Sequence, residues 1–119
     1  MALLGLDQIL AAVDYKYEDV ECPEWGGTVR IRSMGGHARD VFDTEVRRLV
    51  KLHGDTGSFP RELLVSLCAI DEQGALLFNN PLHVQVLGGK SPEVLERLFA
   101  VAIRLSGVAR KSEEEIAKN

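Results

Sequence analysis

The clearest two-residue alternation of apolar and charged positions lies between Asp19 and Arg32. Val20 and Cys22 alternate with charged neighbours on the way in, and Val29 and Ile31 alternate with Arg30 and Arg32 on the way out. A period of two places an apolar face on one side and charge on the other, so the stretch predicts a β-hairpin over about 18–33. Pro23, Glu24, Trp25, Gly26 and Gly27 stand between the arms. Proline presets φ at the start of a turn, and a glycine can take the positive φ needed to leave it. An isolated hairpin is marginal in water, so its apolar face must lie on something. The helix that follows, about 36–52, is the expected partner.

The rest of the chain reads mostly at helical spacing. Gly5–Val13 predicts a short helix with Leu6, Ile9, Leu10 and Val13 on one face, docked on the core or on a neighbouring subunit. From Gly36 to Leu52, Val41, Phe42, Val46, Leu49 and Val50 form one stripe expected to be buried. Acidic residues lie near the start of this helix and Arg47, Arg48 and Lys51 near its end, which suits the helix dipole. Pro60 reads as a first helical residue. Leu63, Leu64, Val65, Leu67, Cys68 and Ile70 then make 61–70 apolar on every side, a core or interface segment read as helix, with a buried strand as the alternative. Asp71–Gly74 is a turn, and Ala75–Phe78 is a short apolar return. Leu82, Val84 and Val86 alternate, leaving strand and helix both open for 82–87. The strongest helix runs from a Ser91 cap and Pro92 to Gly107, with Val94, Leu95, Leu98, Phe99, Ala102 and Ile103 as its stripe and Glu96 and Arg97 facing out. Ser112 and Glu115 have capping-box spacing for a last short turn in a flexible tail, 108–119.

These elements add up to one small, mainly helical α+β domain over 119 residues, with an N-terminal hairpin on a helical part spanning about 36–107. Fourteen Lys and Arg stand against 18 Asp and Glu, a net charge of −4. The basic residues are interspersed with acids and lack interleaved aromatics, which argues against nucleic acid as a partner. Leu3, Leu4 and Leu6 are interrupted by Asp7 and Gln8 and have no basic lead, so no signal peptide or membrane span is read there. Cys22 and Cys68 are far apart and lack C-x-x-C spacing; each reads as a small hydrophobe in a reducing cytoplasm.

Catalytic chemistry finds no constellation. Gly88-Gly89-Lys90-Ser91 ends like a phosphate-binding loop, but Val84 stands where the first glycine of that motif belongs, so it reads as one helix end joined to the next helix start. His37, His53 and His83 fall on separate elements without ligand spacing, so neither a metal nor a cofactor is expected. Asp71 with Glu72, and Glu113 to Glu115, sit in a turn and a solvated tail, away from the apolar pocket a general acid needs. Trp25 is different: an aromatic residue at a turn either folds onto the core or anchors a protein contact, with Glu24, Arg30 and Arg32 as its flank.

VECPEWGGTVRIRS, followed by a Gly-rich break and ARDVFDTEV, resembles the tail assembly chaperones of long-tailed, siphovirus-type (HK97-like) bacteriophages. Members carry a strand ending in P-E-W-G-G, a second strand of alternating Val and Arg, and a helix opening with an R-D-x-F-like pattern. LCAIDEQGALLF (67–78) and SPEVLERLFAVAIRLSG (91–107) extend the likeness in the expected order over most of the chain. One departure is Gly35 and Gly36, where members offer Ser or Thr at the start of the first long helix. The resemblance implies helix for 82–87 and adds Arg39 and Phe42 of the R-D-x-F-like pattern to Trp25, Glu24, Arg30 and Arg32 as protein-binding candidates. It also implies a non-enzymatic chaperone that binds the tape-measure protein, keeps it soluble and helps recruit tail-tube subunits. Such a chaperone works in the cytoplasm of the infected or lysogenic host, self-associates, is also made in a longer frameshifted form, and leaves before the virion is complete. The reading from a different class is a small cytoplasmic adaptor or regulatory subunit without catalytic activity, recognising one partner through the Trp25 turn.

Overall fold

The computed structural model describes residues 2–108. Helix α1 (Leu6–Ala11) is followed by strand β1 (Tyr17–Cys22), a 3-10 turn (Pro23–Trp25) and strand β2 (Gly27–Arg32). Then come α2 (Gly36–His53), α3 (Arg61–Cys68), the two-residue strand β3 (Ala69–Ile70), α4 (Pro81–Gly88) and α5 (Pro92–Ser106). The expected capping box at Ser112 and Glu115 and the tail beyond Val108 lie outside the described residues.

The hairpin forms where the alternation predicts it. In its antiparallel register Val20 faces Val29, Asp19 faces Arg30 and Glu18 faces Ile31. Val20, Cys22 and Ile31 are buried and Val29 half-buried, while Tyr17, Asp19, Arg30 and Arg32 occupy the other face. A third strand extends the sheet to the order β1-β2-β3, because the chain leaves α3 in extended conformation and pairs Ala69 and Ile70 with Ile31 and Arg30. Asp71 makes the return possible. Its Oδ1 accepts from the backbone N–H of Gln73 (2.8 Å) and Ala75 (3.0 Å), and Gly74 takes the positive φ of 85° that the turn requires.

The hairpin lies on α5 and α3, which corrects the expectation that α2 would be its partner. The six apolar positions expected of α5 are all buried, and their burial contributes on the order of 10 kcal/mol before conformational entropy is subtracted. Leu64, Val65 and Cys68 of α3 complete the centre of the core. Gly107 ends α5 in left-handed conformation at φ 67°. Ser91 occupies the N-cap position of α5 without a side-chain hydrogen bond, and Pro60 caps α3 where it was expected to be its first residue. Residues 82–87 are helical, opened by Asn80, whose side chain accepts from the Leu82 N–H at 2.9 Å.

Two helices depart from expectation. Of the stripe on α2, Phe42 alone is buried; Val46 and Leu49 are half-buried, and Val41 and Val50 are exposed. An amphipathic stripe shows that a helix has an apolar face, not that the chain supplies a full partner for it. Helix α1 buries no residue, so it does not dock on this core.

Candidate protein-binding surfaces

The tip of the hairpin is a built corner. Gly26, at φ 79°, closes the 3-10 turn and donates to the Pro23 carbonyl at 3.0 Å. Glu24 accepts two hydrogen bonds from the Arg97 guanidinium, at 2.9 and 2.7 Å, and Arg97 also donates to the Glu21 carbonyl at 3.2 Å. Two helical turns further along α5, Arg104 reaches Glu18 at 2.7 Å. The hairpin is thus tied to α5 at both ends of β1. The paired guanidinium, helped by Glu24's own backbone N–H, holds the Glu24 carboxyl down at about 2. Arg97 therefore does not simply face solvent as its helical position suggests. On this corner Trp25 keeps 37% of its surface in water, which makes it a large aromatic group on a fixed support.

The outer face of the hairpin is a layer of guanidinium groups on tyrosines. Arg30 donates to both oxygens of its cross-strand neighbour Asp19, at 2.7 and 3.0 Å, and lies 4.5 Å from the Tyr17 ring centre. Arg32 stacks 4.1 Å from the Tyr15 ring centre and donates to the Ser33 carbonyl at 2.9 Å. The other two candidates stand apart from this group. Arg39 pairs with Asp43 along α2 and donates to the Ser106 carbonyl at 3.4 Å, tying α2 to the end of α5. Phe42 is 1% exposed and edge-on to Phe59 at 5.6 Å, so it is a core residue.

Two apolar features lie outside the six candidate site residues, although the sequence predicts 5–13 to dock on the core or on a neighbouring subunit. The first is a groove of about 1240 Å³ with α3 between α2 and α4, lined on the three helices by Val41, Leu63, Leu67 and Val84 and closed by Leu76 and Phe78. Its rim carries His37, Asp40, Glu45, Arg48 and Gln85. The second is the N-terminal arm: Leu3, Leu4, Leu6, Ile9, Leu10 and Val13 are between 56% and 98% exposed. Both features have a sequence signal. Leu63 and Val84 are apolar residues left over once the buried stripes are assigned, and the leucines of the arm outnumber its polar residues.

Among the described residues no three His, Cys, Asp or Glu side chains are placed to hold a metal ion, and no helix is long and apolar enough to cross a membrane. His37 lies in the first turn of α2, His53 ends that helix, and His83 stands on α4 against Phe78 at 6.3 Å. Cys22 and Cys68 are free and buried; burial pushes the Cys68 thiol up to about 11, so it is protonated at neutral pH.

No family model matches the sequence, and no curated protein is significantly similar to it. The fold does have a match among solved structures. It superposes on the tail assembly chaperone of bacteriophage HK97 with a TM-score of 0.56 and 26% identity, over 87% of this chain and 95% of that one. Over that span the chain is a structural relative of a phage tail assembly chaperone.

Proposed function

We propose that this chain is a phage tail assembly chaperone that binds the tape-measure protein, keeps it soluble and helps bring tail-tube subunits to it. The observation that carries the reading is the structural match to a tail assembly chaperone over nearly the whole of both chains. The surface agrees with it in kind. A tape-measure protein is long and helical, and its apolar stripes need cover until the tube surrounds them. A protein that exposes apolar helix faces rimmed by charge can supply that cover reversibly, with no covalent step. Trp25, fixed in place by the Glu24–Arg97 pair and flanked by the Arg30 and Arg32 face, is the proposed anchor for a client; Arg39 and Phe42 hold α2 in place. The protein acts in the cytoplasm of the infected or lysogenic host and leaves before the virion is complete. A longer frameshifted form belongs to the same reading, as the route to the tail-tube subunits.

The test is co-expression with the tape-measure protein of the same phage. The soluble fraction of the tape-measure protein should rise, and the two should purify together. Unchanged solubility with no co-purification would sink the reading.

A further inference from the structure

We propose that the N-terminal arm, residues 2–14, docks into the groove formed by α2, α3 and α4 of a second copy of this chain. The arm is an incomplete structure in its own chain. A six-residue helix is well below the length that holds itself together in water, yet α1 forms, with the Gln8 side chain accepting from the Gly5 N–H at 2.8 Å. Its apolar positions follow one helical face, Leu6, Ile9 and Leu10, continued by Val13 just past the end and Leu3 just before the start. None of them touches the core. Where the chain joins the body it is fixed: Tyr15 lies under Arg32 and next to Gly74, where an added Cβ would meet its hydroxyl at 3.3 Å. The arm is therefore an amphipathic helix held out from an anchored stem.

The groove fits such a helix in size and chemistry. The six-residue helix with its side chains, without the flanking Leu3, Leu4 and Val13, occupies on the order of 900 Å³, from a rise of about 1.5 Å per residue and a diameter of about 11 Å. The groove offers about 1240 Å³ and is open to solvent. That exceeds the size of an ordinary small-molecule pocket, and of its polar lining residues Glu62 is paired with Arg61 and the Ser66 hydroxyl donates to the Leu63 carbonyl. Val41, Leu63, Leu67 and Val84 present an apolar bed, while His37, Asp40, Glu45 and Arg48 stand at the edge, where Asp7 and Gln8 on the polar side of the arm would meet water. Burying six Leu-sized side chains removes roughly 600 Å² from water on the arm's side. A standard interface buries about 800 Å² per partner, so one arm in one groove gives reversible association that depends on concentration, and reciprocal or serial pairing strengthens it.

The test needs this protein alone, so its failure is distinguishable from failure of the chaperone reading. Leu6→Glu/Leu10→Glu damages the arm without touching the core, and Val41→Glu damages the groove at an exposed position. Light scattering from micromolar to millimolar concentration should show the wild type exceeding its 13.1 kDa monomer mass. Each variant should weaken self-association by about tenfold or more, as loss of a central apolar anchor does. An equimolar mixture of the two variants should form a one-to-one pair, because one supplies an intact arm and the other an intact groove. For the groove side, a benzophenone photocrosslinker at position 9, in a mixture of isotope-labelled and unlabelled full chain, should join copies at peptides within 37–48, 60–67 or 76–85. A wild type monomeric at every concentration, a mixture that stays monomeric, or crosslinks confined to the same chain or to the hairpin would each overturn the proposal.

Discussion

Individual side chains hold this fold at two nodes that local sequence does not reveal. Arg97 and Glu24 are 73 positions apart, and nothing around either residue announces the pairing. Ser106 is the second node: its hydroxyl accepts from the Met34 N–H at 3.1 Å and lies 3.9 Å from the Cys68 sulfur, while its carbonyl takes the Arg39 hydrogen bond. The Glu24 pairing has a pH signature whose sign is fixed. The folded carboxyl titrates at about 2, below the 4.5 of the free group, so the pair favours the folded state above about pH 4.5 and stops doing so as pH falls through 2. Chemical denaturation of the wild type and Glu24→Gln should show a small stability difference, constant near neutrality and closing between those two values. A difference that persists unchanged to pH 2 would mean that the pair contributes nothing. Cys68 gives a second expectation. A thiol that is fully buried and protonated does not react with aromatic disulfide reagents in the native protein, so labelling of Cys68 should occur only at the rate of unfolding.

Secondary structure is legible in the sequence wherever burial is complete. The hairpin and α5 follow their periodicities because each places a full apolar face on the same core, and α3 is uniformly apolar because it lies between them. Partners are less legible than elements. The stripe on α2 resembles that on α5 in pattern, but α5 is buried by the sheet and α3, whereas α2 enters the core through Phe42, which meets Phe59 in the loop before α3. Strand β3 is two residues long, too short to carry a period of its own, and the turn at Asp71 is its only advance notice. Phe42→Ala should therefore act on one element. Removing a buried phenylalanine costs about 3–5 kcal/mol, and here the loss should fall on α2, with hydrogen exchange along that helix rising while β2, α3 and α5 stay protected. Leu98→Ala, of similar cost, should expose all elements together. Equal protection losses for the two variants would show that α2 is part of the same cooperative unit.

At the scale of the molecule, a tightly closed centre of hairpin, α3 and α5 carries peripheral helices whose apolar faces are incompletely covered. The sequence announces these faces but not their exposure: hydrophobicity shows that α1 and α2 favour burial, and only the packing shows that the described residues leave them largely uncovered. The candidate site follows the same logic. Trp25 stands out in the sequence because an aromatic in a Pro-Gly turn is rare enough to question, whereas the groove depends on three helices meeting and has no local motif. Trp25→Ala should leave the fold intact by circular dichroism, since the residue belongs to no buried cluster, and should reduce recovery of the tape-measure protein in a pull-down by about tenfold, as loss of an interface anchor does. Undiminished recovery would remove Trp25 from the client surface.

Phe42, with Val46 packed beside it, is the shallow root by which α2 enters the common core. Swinging this helix out would withdraw Phe42 from the core, break its ring contact with Phe59 and lose the Arg39 hydrogen bond to the Ser106 carbonyl. With a single fully buried side chain in 18 residues, α2 is expected to open locally at a lower free energy than the sheet, α3 and α5, all of which place several.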